Sequence, residues 1–254
     1  MSQIRHDPVA PTHVETRSAG DVIDRHRHDE HQLIYVSTGV LAIQTEGGAW
    51  IASPGRAVWI PAGLWHEHRF FGHSSFHTVG FRLDDAPALG TAPTVVGVNG
   101  LLRELLIACT EPGLSAAESR RIRAVLHDRL TRAKARPLVL PTAKDARLAD
   151  ACRLVLMDLS RPRALRWLAS TVGTSERTLT RLFRIEFGMT YPQWRTNARI
   201  VDAMIRLAEG ASVTATANRC GWATTSAFID TFGQAMGQTP GAYRAAARPE
   251  PIRQ

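Results

Sequence analysis

Residues 14–83 alternate short apolar runs with breaks at Gly, Pro and Asp. Runs of this length, separated by turn-forming residues, are typical of an all-β sandwich or barrel. Gly47 and Gly48 stand between two of the runs, which favours a hairpin at that point. The strands predicted in this way cover residues 32–36, 40–45, 49–51, 57–60 and 78–81.

The apolar spacing changes at residue 99. From there, apolar residues recur three and four positions apart, which predicts a helix over 99–110. Residues 115–118 read Ser-Ala-Ala-Glu, a capping-box pattern that predicts a second helix over 116–133. These two helices could pair between subunits or pack on their own sheet, and both interpretations are open. Residues 135–144, with two prolines, are the predicted linker.

The remaining residues are predicted to be helical, including a long helix over 191–208 that Gly210 would end. On either side of it, residues 165–184 and 212–232 follow one plan. Each contains a short helix, a glycine at a sharp turn (Gly173 and Gly221), hydroxyl residues suited to capping and a second amphipathic helix. Two helix-turn-helix units in tandem favour a protein that places two helices in successive major grooves of double-stranded DNA.

An ordered set of segments in this half resembles the AraC/XylS family of transcriptional regulators. Residues 175–190 are similar to the family's first recognition helix, and residues 221–228, Phe232 and residues 237–244 to its C-terminal signature. The similarity covers roughly residues 145–245 without a gap. It implies a double helix-turn-helix whose DNA contacts come from Ser175, Arg177, Thr178, Thr180, Arg181 and Arg184 in the first unit and Thr225, Ser226 and Ile229 in the second.

The spacing within the first recognition helix agrees with this assignment. Positions 177, 180, 181 and 184 are related by i, i+3, i+4 and i+7, so their side chains share one face. The resemblance places Arg177, Thr180 and Arg181 at base-reading positions and Ser175 and Arg184 nearer the DNA backbone. Arginine suits guanine because its guanidinium can bond O6 and N7 together. A merely solvated arginine face is the alternative.

The second unit departs from the family. Gly233 and Gln234 stand where many relatives have basic residues, and Asp230 falls on the side expected to face DNA. A carboxylate there would repel phosphate, so we expect the first unit to contribute most of the affinity. Trp222, where Tyr or Phe is usual, is interpreted as a conservative packing change.

The charge of the chain is uneven. Its formal net charge is +8, and residues 145–254 hold 15 arginines against 9 acidic residues, a net charge of +6. A basic C-terminal half fits a polyanionic partner, although a solvated surface would show the same excess. All ten histidines lie at or before His127, so the two halves differ in chemistry.

The histidines of the N-terminal half stand in two segments that resemble the cupin motifs. Residues 55–66 fit the second motif, Gly-x5-Pro-x-Gly-x2-His, at every fixed position. The first motif is partial, with His26-x-His28 and Gly39 present but Gln32 where cupin enzymes usually carry Glu. Because residues i and i+2 of a strand face the same side, His26 and His28 can point together into the barrel, where His66 could join them.

Three interpretations of this set are open. His26, His28, Gln32 and His66 could bind a divalent transition metal, for which Ni, Co, Zn and Fe(II) suit imidazole ligands. They could instead contact an organic effector without metal, or form a structural cluster. The predicted effector site comprises His26, His28, Gln32, Trp59, His66 and Phe81.

The fold class expected from these features is α+β with two domains. Residues 1–98 would form a β-barrel, cupin-like sensor, 99–134 a helical connector, 135–144 the linker and 145–254 the all-α double helix-turn-helix. We expect a cytoplasmic DNA-binding regulator and not an enzyme, with no membrane association and buried, unpaired cysteines. RNA polymerase contact and a homodimer are further expectations.

Two rival functions are also open. One is a cupin metalloenzyme with an appended DNA-binding module, which Glu67 and His68 beside His66 keep under consideration. The other is a nucleoid-type binder whose barrel is only a dimerisation scaffold.

Overall fold

The computed structural model describes residues 5–133 and 138–247, and the α+β organisation expected from the sequence is confirmed. The described residues form two compact units. One comprises residues 5–133 and 138 with 208–210 and 243–247, and the other comprises 139–207 and 211–242. The predicted domain boundaries remain predictions, and their residues 1–4, 134–137 and 248–254 lie outside the described residues.

The N-terminal unit is built on two long antiparallel strands. The strands are β1 Arg5–Asp7, β2 His13–Arg17, β3 Val22–His28, β4 His31–Thr45, β5 Gly48–Ala52, β6 Arg56–Ile60, β7 His66–Phe81 and β8 Thr94–Gly97. β4 and β7 pair along their length, β2 and β3 join β7, and β5 and β6 join β4. β8 pairs with β6, and β1 lies parallel to β3.

Three predicted strands were wrong in extent. The predicted strands 32–36 and 40–45 form one continuous strand, β4. The chain does not turn between them, and only the register of the pairing with β7 shifts around residues 36–40. Gly39 has φ +75 at this irregularity, and a Cβ there would lie 2.9 Å from the carbonyl oxygen of His73. The predicted strand 78–81 begins twelve residues earlier, at His66, since its first part alternates buried histidines with exposed charges instead of apolar with polar residues.

The two connecting helices pack on their own sheet, and their pairing between subunits stays a prediction. α1 spans Gly100–Thr110 and α2 spans Ala116–Thr131. The capping box predicted at Ser115 and Glu118 is present. A single buried cluster joins the helices to the sheet and contains Leu102, Leu106, Leu126, Leu130, Leu33, Trp59, Val79 and Phe81.

The second unit is almost entirely helical. Its elements are β9 Val139–Pro141, α3 Ala146–Leu156, α4 Leu165–Thr171, α5 Glu176–Phe187, α6 Tyr191–Ala208, α7 Val213–Arg219, α8 Thr225–Met236 and α9 Pro240–Ala246, and both α6 and α9 extend past the unit. The predicted helix over 191–208 is confirmed as α6. Phe183, Phe187 and Trp194 lie within one buried cluster of α3–α6. Over the residues described, we find no helix with the length and apolar character needed to cross a membrane, and the three cysteines are buried and unpaired.

Candidate DNA-binding helices and histidine cluster

The first helix-turn-helix consists of α4 and α5. Gly173 lies between them with φ +67, a conformation that glycine adopts without a steric penalty. Ser175 caps α5, its hydroxyl accepting a hydrogen bond from the Thr178 backbone N–H at 3.1 Å. Gly188, with φ +67, ends the helix. Both ends of α5 are therefore fixed by local sequence.

The predicted recognition face of α5 points away from the core. Leu179, Leu182 and Phe183 are buried, whereas Arg177, Arg181 and Arg184 are exposed and Thr180 is half-buried. Within the described residues, these three arginines form no ion pair with a carboxylate.

The hydroxyl groups of this helix are already engaged. Thr180 Oγ1 donates to the Glu176 carbonyl at 2.8 Å, and the hydroxyls of Ser175 and Thr178 lie 2.9 Å apart. The arginines are therefore the groups on this face best able to contact DNA.

The second helix-turn-helix, formed by α7 and α8, has the same local construction. Gly221 has φ +74 at the turn between α7 and α8, and Thr224 caps α8 by accepting from the Ala227 N–H at 3.1 Å. Of the predicted contacts, Ser226 and Ile229 are exposed and Thr225 is half-buried. Asp230 is exposed and is the only charged residue of α8, so this helix offers a negative charge where α5 offers three positive ones.

Arg199 of α6, which the sequence analysis did not single out, holds the second turn. Its Nε donates to the Cys220 carbonyl at 2.6 Å, and its guanidinium carbon lies 3.6 Å from the centre of the Trp222 ring. Burial lowers the pKa of Arg199 to about 10. Trp222 thus has a second role besides packing on Phe228, because its ring contacts a buried cation.

Strand register brings the histidines of the N-terminal unit together. His26 on β3 lies directly opposite His66 on β7, and His28 and His68 follow two positions later on the same strands. The four side chains are between 1% and 4% exposed. Ring centroids lie 4.3 Å apart for His26 and His66, 5.3 Å for His26 and His68 and 5.1 Å for His26 and His28.

Backbone carbonyls orient three of the rings. The Nδ1 atoms of His26, His28 and His66 lie 2.7, 3.1 and 2.9 Å from the carbonyl oxygens of Asp24, Asp7 and Leu64. A carbonyl can only accept, so each Nδ1 carries the proton and donates it. The Nε2 atom of each ring is left with a lone pair.

Gln32, which stands where cupin enzymes usually carry Glu, faces the Nε2 lone pair of His66. Its side-chain N–H donates to Thr78 Oγ1 at 2.7 Å, and Thr78 in turn donates to the Pro11 carbonyl at 3.4 Å. This arrangement turns the Gln32 Oε1 toward His66 Nε2, at 3.1 Å. Two acceptors consequently face each other in a buried site.

His68 was not predicted to belong to the cluster. His26, His66 and His68 each offer a ligand atom within 4.8 Å of those of the other two, and this described set does not include His28. Neither ring nitrogen of His68 has a hydrogen-bond partner among the described residues. Alternation along β7, which buries residues 66 and 68 and exposes Glu67, is the signal that would have found it.

Burial keeps the cluster uncharged at neutral pH. Burial is the main cause that lowers the pKa of His66 to about 3, and the positive charge of a protonated His26 is the second cause. Desolvation also holds the pKa of His68 well below the usual range of histidine and lowers those of His26 and His28. Neutral imidazoles with free Nε2 lone pairs are the form that binds metal ions.

The structure does not bring Trp59 and Phe81 to the histidines. Their rings lie 5.6 Å apart in the cluster that joins the sheet to α1 and α2. On β4, Gln32 and Leu33 point to opposite faces of the sheet, and Leu33 is the one that belongs to this cluster. Of the predicted effector site, His26, His28, Gln32 and His66 therefore lie together and the two aromatic residues lie elsewhere.

Both halves of the chain match known protein families. Residues 8–138, slightly more than half of the chain, match the AraC-like ligand binding domain, and residues 168–246 match a helix-turn-helix domain. The HTH-type transcriptional regulator NimR of Escherichia coli K12 is 29% identical over 237 residues, which cover 89% of this chain and 86% of NimR.

Two solved structures are also similar. The DNA-binding domain of AdpA, in complex with a target DNA, is 32% identical and covers 41% of this chain and 95% of that one, with a TM-score of 0.39. ToxT of Vibrio cholerae is 11% identical over 94% of this chain and 98% of that one, with a TM-score of 0.41. The two family matches establish that this chain belongs to the AraC family of transcriptional regulators, with an N-terminal ligand-binding domain and a C-terminal helix-turn-helix domain that binds DNA.

Proposed function

We propose that this regulator reads DNA mainly through α5 and that a ligand at the histidine cluster changes its affinity for DNA. The observation that carries the first part is the exposed face of Arg177, Arg181 and Arg184, beside a buried apolar face that fixes the helix. Arg177 and Arg181 contact bases in this proposal, and Arg184 contacts phosphate.

The second recognition helix contributes less. On α8, Ser226 and Ile229 are exposed but uncharged, and Asp230 opposes the phosphate charge. Because phosphate neutralisation supplies most of the non-specific affinity, α8 adds shape and sequence selection more than binding energy.

A ligand can control DNA binding because the two binding equilibria are thermodynamically linked. A ligand that binds more tightly to the DNA-competent arrangement of the protein raises DNA affinity, and DNA then raises ligand affinity by the same factor. The histidine cluster is the proposed site because it gathers buried imidazoles, and ring nitrogens of His28 and His68 lack partners among the described residues.

Transcriptional regulation in the cytoplasm, contact with RNA polymerase and assembly as a homodimer belong to this proposal as predictions. Of the two residues that kept the metalloenzyme alternative open, Glu67 is exposed on the face of β7 opposite His66, whereas His68 lies in the histidine cluster.

The experiment is selection of duplex DNA from a random pool with the full chain, followed by affinity measurements on the selected site and on a scrambled site. Arg181→Ala should cost about 1–3 kcal/mol on the selected site and weaken the preference at one base pair. Arg184→Ala should weaken both sites equally and flatten the salt dependence by about one unit of slope.

Arg153→Ala provides the control, because Arg153 is an exposed arginine of α3 outside the recognition helices. It should change neither affinity nor preference on the selected site. The assigned recognition face is wrong if Arg177→Ala and Arg181→Ala both behave like this control.

A further inference from the structure

We propose that the Nε2 atoms of His26 and His66, a ring nitrogen of His68 and the Oε1 atom of Gln32 bind one divalent first-row transition metal ion. This inference rests on the proposed function and deepens it, since it names the chemical class of the ligand. It also differs from the expectation drawn from the cupin motifs, because His68 takes the place of His28.

The separation of the donor atoms fits such an ion. The histidine ligand atoms lie within 4.8 Å of one another, and nitrogens bound to one metal at about 2.1 Å stand about 3.4 Å apart in a tetrahedral site. Metal binding would draw these nitrogens closer together. The distance of 3.1 Å between His66 Nε2 and Gln32 Oε1 already corresponds to two ligands of a common ion.

The hydrogen bonds around the cluster point to a cation. His66 Nε2 and Gln32 Oε1 both present lone pairs to each other, because Leu64 holds the proton of His66 on Nδ1 and Thr78 holds the amide N–H of Gln32. A positive ion between them turns this repulsion into two bonds. The Nδ1–carbonyl bonds of His26 and His66 are the outer contacts that commonly orient metal-binding histidines.

His68 adds an independent argument. Its ring is 1% exposed and both nitrogens lack partners within the described part of the chain. A buried polar group without a hydrogen-bond partner destabilises the fold. A purely structural cluster leaves this destabilisation uncompensated, whereas a metal ion accepts the lone pair of His68.

The donor set selects the class of ion. Neutral imidazoles with one amide oxygen suit Zn²⁺, Co²⁺, Ni²⁺ and Fe²⁺, whereas Ca²⁺ and Mg²⁺ prefer carboxylate and carbonyl oxygens. The metal-compatible set among the described residues contains histidines and no carboxylate. His28, whose Nε2 is buried without a partner in the same region, is adjacent to this set.

The test uses the full chain without an affinity tag, stripped of metal by a chelator and titrated with Co²⁺ and then Zn²⁺. We expect one equivalent per chain, with visible Co²⁺ d–d absorption that Zn²⁺ displaces. His66→Ala and His68→Gln should each weaken Co²⁺ binding by at least about 100-fold, and Gln32→Leu should alter the Co²⁺ spectrum. His73→Ala, at an exposed position of the same strand, should bind like the wild type.

Circular dichroism of each variant without metal establishes that it is folded. The proposal is overturned if folded, DNA-binding wild type takes up neither ion, or if His66→Ala and His68→Gln keep the full stoichiometry and spectrum. Either result leaves the DNA-binding function intact. A protein that binds Co²⁺ as expected but selects no DNA would instead contradict the proposed function and support the metal site.

Discussion

Replacing His77 with glutamine removes a buried imidazole that ties α1 to the sheet. The His77 ring pairs through Nδ1 with Thr110 Oγ1 at 2.7 Å and through Nε2 with Ser37 Oγ at 3.0 Å. Its side chain is 4% exposed. Burial first, and the positive charge of Arg103 second, lower the pKa of His77 to about 4.

The direction of the pH effect follows from this lowered pKa. Between pH 6.5 and about 4, the unfolded chain binds a proton at His77 and the folded chain does not. The contribution of His77 to the free energy of unfolding is therefore fully present above pH 6.5 and falls as the pH decreases through this window. A difference of about 2.5 pH units between the two pKa values corresponds to about 3 kcal/mol.

The assay compares wild type with His77→Gln by urea unfolding from pH 7.5 to pH 4.5, followed by hydrogen exchange of peptides from β7. Glutamine can keep a hydrogen bond to Thr110 but does not titrate. The wild type should lose about 2–3 kcal/mol more than the variant over this range, while His73→Gln, at an exposed position, should follow the wild type. The prediction is refuted if the free energy of unfolding changes with pH by the same amount in the wild type and in His77→Gln.

Two further predictions concern the second helix-turn-helix. Asp230→Ala should tighten DNA binding, mostly non-specifically, because it removes a carboxylate near phosphate; unchanged or weaker affinity would contradict this, and Asp150→Ala on α3 is the control. Arg199→Leu removes both the donor to the Cys220 carbonyl and the cation at Trp222. Faster hydrogen exchange should then appear in α7 and α8 but not in α5, and equal protection in wild type and variant would show that Arg199 does not hold this turn.

The helices could be predicted closely because their signals are local. The limits of α6 follow from apolar spacing and Gly210, and the starts of α2 and α5 follow from Ser115 and Ser175, whose side chains cap the next turn. Capping interactions join residues within one helical turn, which are neighbours in the chain, so they can be predicted from the sequence alone.

The strand limits and side-chain contacts of the sheet could be predicted less well from the sequence. The buried positions at the start of β7 are histidines, which a search for apolar alternation does not register. His68 approaches His26 only through the pairing of β3 with β7, whose register shifts between residues 23 and 26. A contact that depends on long-range pairing and on a bulge cannot be read from local spacing. Trp59 and Phe81 were misplaced for a related reason, since hydrophobicity alone does not say which face of a sheet a residue covers.

The most direct measurement of the central claim is the affinity of the full chain for its selected DNA site, with the metal removed and with one equivalent of Zn²⁺. We predict that Zn²⁺ changes this affinity in the wild type and in His73→Ala. In His68→Gln, we predict that the affinity stays at the metal-free wild-type value whether or not Zn²⁺ is added. An affinity that Zn²⁺ leaves unchanged in the wild type, or changes equally in His68→Gln, would contradict control of DNA binding through the histidine cluster.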